Sequence, residues 1–326
     1  MAMQNILPLA TLLAAAPAAA DGPALVETPA AVASTGLVDP AAEVLALEQE
    51  RNRRLTLPVI VDGAGPYAFM IDTGSQATAI THEIRAALAL PSAGTATLVG
   101  MASRREVDLV DIGRIEFGAN SFTNFAAPVL ERNNVGADGI IGLDALQDFR
   151  VLIDFRNQTI AVEDASERDR SGGFEIVVRA RTKLGQLLIT DALVEGVRAT
   201  VIIDTGAQAS LANTALRDRV RAKRAQEVLT TDVNGVDLLG ELAIVSTLTI
   251  EGLALTDVPL TFADTPAFAA LGLSDKPALS LGMQHLALFD RVAIDFARQR
   301  ILFDVPRDIA KAMREAKRLQ SYKLGF

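Results

Sequence analysis

A short stretch that occurs twice constrains this chain more than any other feature of its sequence. FMIDTGSQATAI occupies residues 69–80, and VIIDTGAQASLA occupies residues 201–212. In each copy an apolar run ends at an aspartate, and a threonine and a glycine follow directly. An isolated carboxylate at the end of an apolar strand is costly to bury unless other groups satisfy it. The repeat therefore predicts two equivalent buried carboxylates, Asp72 and Asp204.

Further landmarks recur in the same order along the chain. Asp72 and Asp204 are 132 residues apart, and Gly142 and Gly282 are 140 residues apart. Repeat arrays need three or more small units, so two long copies indicate a duplicated domain instead. The copies read as short β-like runs separated by turn dipeptides. We therefore predict an all-β fold, mostly β with short helices, built as two β-barrel lobes related by a pseudo-twofold axis.

Each copy has the same predicted order of elements. A hairpin delivers the aspartate, a helix follows at 81–90 or 213–225, and a second hairpin follows at 95–112 or 227–245. The hairpin at 227–245 has its turn at Asn234-Gly235, a favoured two-residue turn.

The composition and turn signals divide the chain into six predicted segments. They are a signal peptide (1–20), an Ala/Pro-rich linker or pro-segment (21–46), an N-terminal lobe (47–163), an inter-lobe linker (164–173), a C-terminal lobe (174–306) and a helical basic tail (307–326).

The leader predicts export to the periplasm or the medium. It has an apolar stretch of signal-peptide length that small residues close before Asp21, although no Lys or Arg precedes that stretch. A disordered Ala-rich leader is the alternative. No later run reaches the ~18–20 apolar residues that span a bilayer. The basic tail reads as a helix packed on a lobe, with contact to a membrane surface or a partner as the weaker alternative.

The composition excludes several chemistries. The chain has no Cys, so thiol nucleophiles and thiolate metal sites are excluded. His82 and His285 are its two histidines, and their spacing does not form a metal motif. We predict no metal and no cofactor. The net charge of −9 does not favour binding to nucleic acid, which is itself negatively charged.

Two carboxylates brought together by a pseudo-twofold axis cannot both ionise, so they would share one proton. The ionised member then acts as a base on a water, and the protonated member donates to a carbonyl. Ser75 follows the first motif where Ala207 follows the second. We expect the Ser75 hydroxyl to donate to Asp72 and to lower its pKa, which makes Asp72 the base and Asp204 the acid.

These motifs resemble the aspartic peptidases. DTGS and DTGA are each followed by an apolar-apolar-Gly element, DGIIG at 138–142 and LSLG at 279–282. Over about residues 55–305 the chain looks most like two bacterial retropepsin-like domains fused in tandem, in the two-lobed arrangement of pepsin. The absence of a flap tyrosine and the short lobes favour the compact retropepsin-like description.

The resemblance implies a role for each matching residue. Asp72 and Asp204 would be the catalytic dyad, and the motif residues around them would support the catalytic loops. Those supporting residues are Thr73, Gly74, Ser75, Thr205, Gly206 and Ala207, with the two threonines interlocking. The flap tips, near Gly100–Ser103 and Val233–Gly235, would bind substrate through Gly100, Met101, Ala102, Val233, Asn234 and Gly235.

We therefore expect a monomeric aspartic endopeptidase with one site per chain, acting on an extended peptide or protein substrate. An inactive peptide-binding clamp of the same fold is the main alternative. A two-carboxylate glycosidase is a weaker one, because that chemistry needs carboxyl groups at least ~5 Å apart. Asp154 and Asp295 read as strand-end residues, and His82 as a surface residue.

Overall fold

The computed structural model describes residues 55–164, 172–311 and 313, together with three short strands nearer the N-terminus. These strands are β1 (Ile6–Pro8), β2 (Ala14–Ala15) and β3 (Ala24–Glu27). The rest of the predicted signal peptide and linker lies outside the described residues. So do residues 165–171 of the inter-lobe linker and residues 314–326 of the tail.

The first lobe is a sheet that closes on itself. Its strand order is β1-β7-β8-β4-β5-β10-β6-β9, and β8 also pairs with β9. The elements are β4 (Thr56–Val61), β5 (Ala64–Ile71), β6 (Ala79–Thr81), α1 (His82–Leu88), β7 (Ser92–Val99), β8 (Arg104–Phe117), β9 (Asn120–Leu130), α2 (Arg132–Val135), β10 (Gly139–Ile141), a 3₁₀ turn (Leu143–Ala145), β11 (Phe149–Asp154) and β12 (Thr159–Asp164).

The second lobe repeats this plan. Its order is β14-β15-β16-β21-β17-β20-β19-β18-β2, with β15 also paired to β19 and β3 to β20. The elements are β13 (Ile176–Arg179), β14 (Arg181–Lys183), β15 (Gln186–Val194), β16 (Val197–Ile203), β17 (Leu211–Ala212), α3 (Thr214–Arg217), β18 (Lys223–Thr231), β19 (Asp237–Ile250), β20 (Leu253–Phe262), α4 (Pro266–Ala270), β21 (Ala278–Leu281), α5 (Met283–Leu286), β22 (Arg291–Asp295) and β23 (Arg300–Asp304).

The equivalence of the lobes is visible in the strands that surround each aspartate. In the first lobe β10 lies between β5 and β6, parallel to β5 and antiparallel to β6. In the second lobe β21 lies between β16 and β17 in the same orientations. The prediction of an all-β fold with two barrel-like lobes is confirmed.

A third sheet joins the lobes. Its order is β12-β11-β22-β23-β13, and the central pairing sets β11 of the first lobe antiparallel to β22 of the second. In that register Val151 pairs with Ile294, and both side chains are buried. The last hairpin of each copy, β11–β12 in the first lobe and β22–β23 in the second, therefore belongs to one continuous sheet.

The predicted second helix at 213–225 is wrong in length. α3 ends at Arg217, and β18 begins at Lys223 and pairs with β19. The charged run that suggested a helix instead supplies the largely exposed first half of β18. Strand pairing therefore overrides local helix propensity here. The first predicted helix is present as α1.

The start of the C-terminal tail packs on the protein. Residues 307–311 are helical, and Ala310 and Met313 are buried in the main apolar core. Among the described residues, no helix is both long enough and apolar enough to cross a membrane.

The strand-end aspartates give a stability prediction. Asp295 is fully buried, and its Oδ2 accepts from Nε and Nη2 of Arg300, each at 3.1 Å. We expect Asp295→Ala to lower the free energy of unfolding by about 3 kcal/mol, since it removes charge-assisted hydrogen bonds from a buried position. Urea unfolding measures this value.

Asp154→Ala is the matched control, because Asp154 occupies the equivalent strand end but bonds to Asn157 at a more exposed position. We expect it to cost less than about 1 kcal/mol. Equal losses in the two variants would contradict the structural role given to Asp295.

Candidate active site

Each aspartate of the repeat lies immediately after a central strand of its lobe. Asp72 follows β5, and its N–H donates to the carbonyl oxygen of Ile141 at 3.0 Å. Asp204 follows β16, and its N–H donates to the carbonyl oxygen of Leu281 at 3.1 Å. Both side chains are buried. The pairing of each central strand with its neighbour thus sets the position at which each carboxylate is presented.

The turn after each aspartate forms a cradle for its carboxylate. Oδ1 of Asp72 accepts from the N–H of Gly74 at 2.8 Å and of Ser75 at 3.0 Å. Oδ1 of Asp204 accepts from the N–H of Gly206 at 3.0 Å and from the next backbone N–H, that of Ala207, at 3.1 Å. These bonds partly offset the cost of burying each carboxylate.

The two threonines interlock across the lobes. The N–H of Thr73 donates to Oγ1 of Thr205 at 3.0 Å, and the N–H of Thr205 donates to Oγ1 of Thr73 at 3.2 Å. The Thr73 hydroxyl in turn donates to the carbonyl oxygen of Ile203 at 2.8 Å, and that of Thr205 donates to Ile71 at 2.7 Å. The hydroxyl of each threonine therefore accepts a hydrogen bond from the loop of the opposite lobe and donates one to the strand that leads into that loop.

This interlock places the carboxyl group of Asp72 against the loop of Asp204. A Cβ added to Gly206 would lie 2.2 Å from Cγ of Asp72, closer than any real contact. The same Gly206 donates its N–H to Asp204. One glycine therefore contacts both carboxyl groups, and the two aspartates of the repeat form a single site.

A supporting layer, which the sequence analysis missed, lies beneath each loop. The N–H of Gly142 donates to Oγ1 of Thr78 at 3.1 Å, and that of Gly282 donates to Oγ of Ser210 at 2.9 Å. Thr78 and Ser210 have the same offset as the two aspartates. That shared offset in the repeat was the signal that could have identified them.

The partner of each supporting hydroxyl differs between lobes. Thr78 donates to Oδ1 of Asp144 at 2.6 Å. Ser210 lies 2.6 Å from Nδ1 of His285, which is fully buried. Burial lowers the pKa of His285 to about 4, so its imidazole is neutral at neutral pH.

The expected hydrogen bond from Ser75 to the outer oxygen of Asp72 is wrong. The Ser75 hydroxyl donates instead to the carbonyl oxygen of Ala77, two residues along the same turn, at 2.8 Å. The structure gives a side-chain donor to the other aspartate, because Ser280 donates to Oδ2 of Asp204 at 3.0 Å. In the first lobe the equivalent position on β10 is Ile140, which has no hydroxyl.

Burial raises the pKa of Asp204 to about 6, against the lowering effect of the hydrogen bonds from Ser280, Ala207 and Gly206. Because this folded-state pKa lies above the ordinary value of 3.8 for an aspartate, the group favours folding at low pH. That contribution to stability is lost as the pH rises through about 6. His285 acts in the opposite sense. Its lowered pKa favours folding above about 6.5, and that contribution is lost as the pH falls through about 4.

The predicted flap-tip residues lie on two hairpins. Gly100, Met101 and Ala102 form the turn between β7 and β8, and residues 233–235 form the turn between β18 and β19. The two turns meet, since the N–H of Ala102 donates to Oδ2 of Asp232 at 3.1 Å. Asp232 was not singled out from the sequence. Within the described ranges no cluster of three or more His, Asp or Glu side chains could hold a metal ion.

Comparison with known proteins agrees with this geometry. The family model described as aspartyl protease matches twice, at residues 57–145 and 190–285, which together span more than half of the chain. The chain belongs to the aspartyl protease family. Each match includes one Asp-Thr-Gly loop, so the prediction of two tandem aspartyl protease domains is confirmed. No curated protein matches the chain.

Solved aspartyl proteases resemble the chain at low sequence identity. A retropepsin-like aspartic protease from Rickettsia conorii is 17% identical, with a TM-score of 0.27, covering 40% of this chain and 89% of that one. An aspartic proteinase from Irpex lacteus is 11% identical, with a TM-score of 0.40, covering 80% of this chain and 96% of that one.

The Ser280 hydrogen bond gives a prediction for the pKa of Asp204. A bond to the charged carboxylate lowers its pKa, so Ser280→Ala should raise the pKa of Asp204 by about one unit. A carboxyl carbon-13 NMR titration measures this shift. Ser75→Ala is the control. It should leave the pKa values of both aspartates unchanged, because the Ser75 hydroxyl donates to Ala77. A shift in the control but none in Ser280→Ala would overturn the assignment.

Proposed function

We propose that this protein is an aspartic endopeptidase that hydrolyses peptide bonds at the Asp72–Asp204 pair. The observation that supports this most strongly is the reciprocal threonine interlock, which holds two buried carboxyl groups against one glycine. Both groups come from one chain, so we propose one active site per monomer. The substrate would be an extended peptide or protein segment lying between the lobes.

The proposed mechanism uses the two carboxyl groups in different protonation states. Asp204, whose pKa is raised to about 6, is the protonated member at mildly acidic pH. We assign the ionised state to Asp72 because two adjacent carboxyl groups share one proton. Asp72 removes a proton from a water, and the water oxygen attacks the carbonyl carbon of the peptide. Asp204 gives its proton to the carbonyl oxygen in the same step. The product is a neutral tetrahedral diol.

The second step reverses these roles. Asp72, now protonated, donates its proton to the leaving nitrogen, and Asp204 accepts a proton from a diol hydroxyl as the carbonyl re-forms. The C–N bond breaks, one amine and one carboxylic acid leave, and both aspartates return to their starting states. Because the pair titrates as a unit, the pH profile of kcat/KM reports two macroscopic values. We expect the limb on the basic side to fall near pH 6, where the pair loses its shared proton.

The inactive peptide-binding clamp makes a different prediction. A clamp needs the lobes and the cleft, but it has no need of two carboxylates with matching N–H cradles. Both cradles are present here with nearly equal distances, which favours the peptidase. An unstructured protein should therefore be cleaved at mildly acidic pH, and a pepstatin-type inhibitor should stop the cleavage.

The catalytic assignment predicts that activity requires the carboxylates of both Asp72 and Asp204. Asp72→Asn and Asp204→Asn should each lower kcat by about a thousandfold or more, because an amide can neither accept the proton from water nor donate one as an acid. Cleavage of an unstructured protein measures the rates.

Asp154→Asn, which replaces a strand-end carboxylate outside the site, is the matched control and should retain activity. Substantial activity in either dyad variant would contradict the proposed pair. Binding of peptide without cleavage by the wild-type protein would support the clamp.

A further inference from the structure

The loop that presents Asp204 is bonded at its far end to helix α5. The N–H of Met283, the first residue of α5, donates to the carbonyl oxygen of Ala207 at 2.8 Å. A contact between side chains completes this attachment, since Oγ of Ser210 lies 2.6 Å from Nδ1 of His285. The proposed acid of the dyad therefore lies on a loop that a buried histidine helps to hold.

The neighbouring hydrogen bonds determine the tautomer of His285. Oγ of Ser210 accepts from the N–H of Gly282 at 2.9 Å, so the Ser210 hydroxyl still needs an acceptor for its own hydrogen. If Nδ1 of His285 is that acceptor, only the N–H at Nε2 lacks a partner among the described residues. If Nδ1 donated instead, both Nε2 and the hydroxyl hydrogen would lack one. Because each unpaired buried polar group is costly, the neutral ring carries its hydrogen on Nε2.

The first lobe holds its supporting hydroxyl with an acid instead of a base. The carboxylate of Asp144 accepts from Oγ1 of Thr78 at 2.6 Å, from the N–H of Thr78 at 2.9 Å and from the N–H of Ala145 at 2.9 Å. In the second lobe the acceptor for Ser210 is His285, a neutral base at a position that is not equivalent to Asp144. The second-lobe loop thus depends on an acceptor that a single proton removes.

The surroundings of His285 offer no stabilisation to a positive charge. Its side chain is fully buried, and burial is the single cause of its lowered pKa of about 4. Asp204 is the one titratable residue on the loop bonded to α5, and the strands β17 and β21 carry none. The first charged residue after α5 is Asp290, which pairs with Arg156. Protonation of the ring would therefore bury a charge without a counter-ion.

We propose that His285 is a positioning residue for Asp204, whose loop it holds through Ser210 while the imidazole is neutral and releases when Nδ1 is protonated. This inference deepens the proposed peptidase function and rests on it. Protonation turns Nδ1 from an acceptor into a donor, so the Ser210 hydroxyl loses its acceptor at the same time as a buried charge forms. His285 therefore sets the limit of activity on the acidic side, whereas the aspartate pair sets the limit on the basic side.

The state of the ring can be measured without catalysis, because the chain has only two histidines. His82 is exposed, and His82→Gln leaves a single imidazole to observe. Nitrogen-15 NMR of this variant should show a neutral ring with its hydrogen on Nε2 at neutral pH, and double protonation only as the pH falls through about 4. A hydrogen on Nδ1 at neutral pH, or titration near the ordinary value of 6.5, would overturn the inference.

Two substitutions at His285 separate the hydrogen bond from the titration. The amide oxygen of His285→Asn can replace Nδ1 as the acceptor for Ser210, but it does not titrate. His285→Leu has no acceptor. At mildly acidic pH we expect His285→Leu to have a kcat about tenfold below that of His285→Asn, with similar KM values, because one hydrogen bond that positions the loop is missing.

The pH profile of kcat/KM then distinguishes this role from a merely structural one. The acidic limb of His285→Asn should lie at lower pH than that of the wild type, because the group that releases the loop is gone. His82→Asn is the matched control and should reproduce the wild-type profile. Acidic limbs at the same pH in the wild type and in His285→Asn would overturn the inference.

Urea unfolding decides the role of His285 even if the protein cleaves nothing. As the pH falls from about 6.5 to about 4, the urea midpoint of the wild type should fall by more than that of His285→Asn, since the unfolded chain takes up a proton that the folded ring resists. Equal falls in the two proteins would count against His285. Absence of cleavage by the wild type at every pH, with unequal falls, would remove the peptidase proposal and leave the release of the loop in place.

Discussion

The relative position of the two Asp-Thr-Gly loops depends on the reciprocal hydrogen bonds between Thr73 and Thr205. Each threonine accepts from the backbone of the opposite lobe and donates to the strand that leads into the opposite loop. Because four bonds must form together, the loops have one relative position. That position buries both aspartates and brings the Asp72 carboxyl group against Gly206. This proximity supports the proposed sharing of one proton, since two adjacent buried carboxylates resist double ionisation.

The duplication within a single chain allows the two halves of this site to differ. Two equivalent places illustrate the divergence, namely Ile140 against Ser280 and Gly100 against Asp232. A dimer of identical chains would carry the same residue on both sides at each place. Here one aspartate has a hydroxyl donor on its outer oxygen, and one hairpin tip supplies a carboxylate to which the other tip donates hydrogen bonds. The two aspartates therefore lie in different surroundings, as their proposed acid and base roles require.

The sequence predicted the parts of the fold that are encoded twice. The paired Asp-Thr-Gly loops, the hairpins that lead into them and the closing segments recur in order. The two lobes and the pairing of Asp72 with Asp204 could therefore be inferred from the sequence. Contacts between the copies were harder to infer. The orientation of the Ser75 hydroxyl depends on whether Ala77 or Asp72 offers the nearer acceptor, and the role of Asp232 depends on a hairpin of the other lobe. The end of α3 was misjudged because pairing with β19, distant in sequence, decides it.

A double-mutant cycle on the threonine interlock tests the account most directly. Thr73→Val and Thr205→Val keep the shape of each side chain and remove its hydroxyl. The account predicts that each single variant lowers both the free energy of unfolding and kcat/KM, and that the pair shows a coupling energy of at least about 1 kcal/mol, because the two hydroxyls complete one network. Strictly additive effects on stability, with full activity in both single variants, would mean that the two carboxylates are held together by something other than this interlock.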